Sequence, residues 1–95
     1  MTAPVPCYLV EWYHSAATEE PLDDTAARLR DSAVSMSEHG STVRLLNLLA
    51  VPTDEVLFAV FTADSASAVA EACDQAGIPA QRVSTATEVD LLRLQ

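Results

Sequence analysis

No lysine occurs in this 95-residue chain; its entire positive charge rests on Arg28, Arg30, Arg44, Arg82 and Arg93. That removes lysine Schiff-base chemistry and the lysine grip on phosphate. Glycine is almost as scarce: Gly40 and Gly77 are the only two, too few for a glycine-rich phosphate loop or a dinucleotide fingerprint. The two cysteines, Cys7 and Cys73, have no zinc or redox spacing and do not make a disulfide framework, so both are read as reduced thiols. No run approaches the roughly 20 apolar residues of a membrane span. The start "MTAPVPCYLV" lacks the basic opening and cleavage pattern of a signal peptide, and the expectation is a cytoplasmic protein.

What the chain does have is acid. A formal charge of -9 and a pI near 4.3 repel phosphate backbones and anionic lipid, which disfavours nucleic acid and membrane surfaces as partners. The length suits a single domain, residues 1–95, with a core that a neighbouring chain can complete.

Six elements follow from the residue pattern. "CYLVEWY" reads as a first strand, followed by the loop "HSAATEEP". After Pro21, the helical spacing of Leu22, Ala26, Leu29, Ala33 and Met36 predicts a helix from Leu22 to His39, stopped by Gly40. "TVRLLNLLAV" and "VLFAVFTA" are two strands of a hairpin turned by "PTDE". Asp64 is placed to cap a second helix with an inner stripe of Ala66, Val69, Cys73 and Ala76, ended by "GIP". A last strand is predicted over Arg82 to Val89. The order β-α-β-β-α-β is that of the ferredoxin-like α+β sandwich, a four-stranded antiparallel sheet with two helices on one face.

The second sheet face carries the functional expectation. Val43, Leu45, Leu49 and Val51 alternate with Leu46, Leu48 and Ala50, and Leu57, Ala59 and Phe61 alternate with Val56, Phe58 and Val60. Both faces read as apolar, so the open one is expected to be covered by another subunit, giving a homodimer resembling a dimeric α+β barrel. In the central first strand, Cys7, Leu9, Glu11 and Tyr13 share one face, and Tyr8, Val10, Trp12 and His14 the other. A carboxylate there is either hydrogen-bonded or paired with an arginine, or it faces a pocket where desolvation raises its pKa. No cation neighbours Glu11 in sequence, which favours the pocket.

"YLVEWY", "STVRLLNLLAVPTDEVLFAVFTADSASAV" and "AGIPAQRV" together resemble a family of small ferredoxin-like proteins, otherwise a domain of unknown function, that has a nickel-binding member. The similarity runs from Tyr8 to about Val83. It implies a dimeric ferredoxin-like protein able to hold nickel or another divalent transition metal. Relatives carry a basic residue or histidine at Asn47, serine near Leu48, cysteine near Ala59 and glutamate near Thr62; of that constellation this chain matches Glu11.

Three readings stand. A homodimeric binding protein would hold a transition metal, with His14, His39 and Glu11 as the candidate ligands, or a small apolar ligand in a pocket lined by Trp12 and Arg44. The bland alternatives are a solvated His14, a His39 imidazolium favoured by the helix dipole, a Trp12 in the core and an Arg44 in water or in a salt bridge. The second reading is a cofactor-independent enzyme, a monooxygenase, isomerase or cyclase, with Glu11 and Tyr13 as its acid-base groups. The third is a structural or interaction module without a ligand.

Overall fold

The computed structural model describes residues 7–14 and 18–87. Its elements are β1 (Cys7–Tyr13), α1 (Leu22–Glu38), β2 (Val43–Val51), β3 (Val56–Ala63), α2 (Ala66–Gln75) and β4 (Arg82–Ala86). They form a ferredoxin-like sandwich: an antiparallel sheet of order β2-β3-β1-β4, with the helices on one face. β1 and β3 are central, as expected from the order of elements. The last strand ends at Ala86, before the predicted Thr87; Glu88 and Val89 of that prediction lie outside the described residues, as do residues 15–17 of the first loop.

Both helices stop by the same device. Gly40 and Gly77 take positive φ, 98° and 77°, which costs a residue without a Cβ little. The Ser41 N–H donates to the Met36 carbonyl, and the Ile78 N–H to the Cys73 carbonyl; the glycine N–H groups donate to Ser37 and Asp74. These pairs are the two bonds of a Schellman motif. At the start of α2 the cap is Ser65, not Asp64: its hydroxyl accepts from the Ala68 N–H at 3.1 Å. The buried stripe of α2 accordingly comprises Ala68, Val69, Ala72 and Cys73, and Ala66 is exposed. On α1, Thr25 and Ser32 join Leu29, Ala33 and Met36 in the buried stripe, and Leu22 is exposed. The Ser32 hydroxyl fits there because it donates to the Ala72 carbonyl at 2.6 Å, tying the two helices together.

The strand alternation is corrected at one point. Leu45 pairs with Phe61, and the next paired residue, Asn47, meets Val60, so Leu46 is the extra residue of a β-bulge. The bulge inverts the side-chain parity of the rest of β2. Leu48 and Ala50 join Val43 and Leu45 on the helix side, where they pack against the core of Val10, Trp12, Leu57, Ala59 and Phe61. Leu49 and Val51 turn to the open face, in register with Phe58 and Val56.

This assignment predicts contrasting costs. Leu57→Ala, at a site 1% exposed, should lose about 2–5 kcal/mol, whereas Leu46→Ala, at a site 39% exposed, should lose well under about 2 kcal/mol. Urea denaturation checks both, and equal losses would contradict the placement of Leu57 in the core and of Leu46 outside it.

Candidate functional site

Strand pairing places four rows of side chains across the open face. Register puts Leu49, Phe58, Glu11 and Arg82 in one row, with Val51, Val56 and Tyr13 beside it on one side and Asn47, Val60, Leu9 and Ser84 on the other. The centre is apolar. Glu11 is the exception, a carboxylate on the central strand only 9% exposed.

Its partners are assembled from two strands. The Tyr13 hydroxyl, two residues along the same face, donates to Glu11 Oε1. Arg82 opens β4 directly opposite Glu11, and its Nε lies 3.6 Å from Glu11 Oε2. The cation absent from the sequence neighbourhood of Glu11 therefore arrives from β4, and the arginine-pair alternative describes the site. The chain is pinned here by its backbone: the Gln81 N–H donates to the Glu11 carbonyl at 3.2 Å, and the Tyr13 N–H donates to the Gln81 side chain.

The hydrogen bond to Glu11, then desolvation and the carboxylate charge, raise the Tyr13 pKa above its ordinary value near 10, with Arg82 opposing. Tyr13 is thus a hydroxyl donor at neutral pH. Glu11 is an acceptor, and Arg82 can meet an acceptor or a developing negative charge. The trio can orient a polar group at the edge of an apolar surface.

The remaining predicted residues do not join it. Trp12 is buried on the opposite face, its indole N–H shared between the carbonyls of Ile78 at 3.3 Å and Pro79 at 3.0 Å, which satisfies a core tryptophan. Arg44 is on the open face but in the row of Thr62, Cys7 and Ala86, about 13 Å along the strands from Glu11. His14 follows β1 in the left-handed region, φ 47°, with Nδ1 2.8 Å from Glu55 Oε2. His39 caps α1 with Nδ1 2.7 Å from the Ser35 carbonyl. His14, His39 and Glu11 are therefore not brought together, and among the described residues no three His, Cys, Asp or Glu side chains converge as a metal site. Cys73 is in the core, where burial, and then the charge of Asp74, push its thiol up to about 12. Arg82 is the member of the trio that the sequence marks only as the start of the last strand. Its signal was its position: the first residue of the last strand in a β-α-β-β-α-β chain pairs with the end of β1.

No protein-family model matches the chain, and no curated protein does. Among solved structures it is similar to SCO4226 from Streptomyces coelicolor A3(2), with a TM-score of 0.66 and 13% identity over 88% of this chain and 99% of that one. At that identity the likeness shows the ferredoxin-like fold alone. Among the described residues no helix is long and apolar enough to cross a membrane.

A raised Tyr13 pKa links the trio to pH. The neutral phenol is favoured in the fold, so its contribution is complete below pH 10 and is lost as pH rises through the raised value. Thermal melts between pH 8 and 11.5 should show wild type losing stability above pH 10 more steeply than Tyr13→Phe. Parallel curves would detach Tyr13 from Glu11.

Proposed function

We propose that the protein is a small homodimeric binding protein in which two copies pair their open sheet faces and hold a small ligand at the Glu11–Tyr13–Arg82 corner. The observation that carries this reading is a carboxylate, nine-tenths buried, set into an apolar sheet face on the side away from both helices. Leu9, Val51, Val56, Phe58 and Val60 are half-buried on that face, and Leu49 is 58% exposed. Such a surface favours a partner.

The charge of the face is compatible with a second copy as that partner. The molecule carries -9, yet the paired rows of the open face hold two arginines, Arg44 and Arg82, against one glutamate. Two copies pairing here would therefore bring no surplus of negative side chains into the contact itself. Extension of the sheet through the β2 edge is disfavoured, because the bulge at Leu46 interrupts the ladder that a further strand would need.

The transition-metal reading draws no support from a single copy, since His14, His39 and Glu11 stand apart; nickel would require ligands from a second chain. A cofactor-independent reaction would take its proton from Tyr13 and place negative charge on Arg82.

Light scattering at tens of micromolar should return about twice the 10.1 kDa chain mass. Leu49→Asp, at a position exposed in one copy, should give a folded monomer, because it sets an unpaired charge in the paired face. A monomeric wild type, or a Leu49→Asp variant that stays dimeric, would overturn the paired-face reading. Native mass spectrometry of the purified dimer should carry the mass of a small molecule.

A further inference from the structure

The two oxygens of the buried Glu11 carboxylate are placed differently. Oε1 accepts the Tyr13 hydroxyl. Oε2 faces Arg82 Nε at 3.6 Å, longer than a hydrogen bond. Among the described residues no donor lies within hydrogen-bonding distance of Oε2; a buried acceptor left so is costly, and a bound donor relieves it. Arg82 supplies the complement: its side chain is 67% exposed, and a guanidinium has five N–H donors, more than one ion pair engages.

A single oxygen atom can serve both groups. Placed about 2.8 Å from each, it bridges the gap, giving its proton to Oε2 and accepting an N–H from the guanidinium. A hydroxyl does this, whereas an ether oxygen or a carbonyl can only accept. Net charge selects against ions: Glu11 and Arg82 together are neutral, an anionic head would meet both the carboxylate and the field of a chain of -9, and an ammonium would compete with Arg82 for Glu11. The surface beside the corner sets the body of the ligand. Phe58 pairs with Glu11 and Leu49 pairs with Phe58, so from β1 to β2 an apolar path runs across two strand spacings, roughly 10 Å. That is the scale of two fused six-membered rings.

We propose that the corner takes a neutral, hydroxyl-bearing apolar molecule of about that size, its hydroxyl bridging Glu11 Oε2 and Arg82 and its body lying along Phe58 and Leu49. This deepens the binding reading above and rests on it.

The test uses 2-naphthol, its methyl ether and naphthoate as probes on the full-length protein and on Arg82→Met, with affinity from calorimetry and position from backbone amide shifts. Naphthol should bind at least about tenfold more tightly than the ether or the naphthoate, the scale of one hydrogen bond to a charged group, with shifts on β1, β3 and β4. Arg82→Met should stay folded with a somewhat lower melt, because Glu11 loses its counter-charge, and should weaken naphthol and ether alike while naphthol stays the tighter, since its hydroxyl still donates to Glu11 Oε2. Equal affinities in the wild type, a preference for naphthoate, or shifts confined to the helix side would overturn the assignment. Light scattering of the same samples separates the two readings. A dimer that does not discriminate among the probes removes the hydroxyl assignment alone, and a monomer removes the paired-face reading whatever the titrations give.

Discussion

The register of β1 is the constraint on which the rest of the structure depends. This strand is paired on both sides, to β3 and to β4, and its alternation sends Val10 and Trp12 into the helix-side core while Glu11 and Tyr13 face the other way. A slip of one residue would exchange the two sets. It would drive an ionised carboxylate under the helices and turn the indole, whose N–H is held by the carbonyls that follow α2, onto the open face. The burial of Trp12 and the placement of Glu11 are thus one event seen from two sides of the sheet.

That coupling explains how a carboxylate persists on a central strand. Glu11 cannot be moved without moving Trp12, so its burial has to be offset locally. The Tyr13 hydroxyl lies one side-chain repeat away on the same face, and Arg82 opens the adjacent strand opposite Glu11. Exposure of the guanidinium limits what the ion pair adds to stability, because solvent screens it. An incompletely satisfied carboxylate beside an apolar surface adds little to stability and leaves an acceptor oxygen open to a donor.

The bulge at Leu46 has a comparable reach on the other side of the sheet. By adding one residue to β2 it gives Leu48 and Ala50 to the core, and Leu49 and Val51 to the open face. The same irregularity interrupts the outer ladder of an otherwise long edge strand. One local feature therefore decides which residues of β2 line the face and makes the edge less receptive to another strand.

Local pattern by itself determined the element order, the ends of both helices at Gly40 and Gly77 and the faces of the β1 side chains, because each follows from short-range periodicity or from backbone freedom at a single residue; the central place of β1 follows from that order of elements. Glu11 was legible as an anomaly for the same reason: a charge in a period-two apolar run is visible without a fold. The parity of β2 was not legible, since "VRLLNLLAV" is apolar on both registers and nothing within it marks which leucine is extra. The Ser65 cap was missed because Asp64 and Ser65 are both capping residues, and only the geometry of the chain entering α2 chose between them. Which arginine meets Glu11, and that His14 and His39 stay apart from it, were decided by tertiary structure alone. Those distances depend on how strands far apart in sequence pair, and pairing register is set by the whole sheet packing against its helices rather than by any one segment.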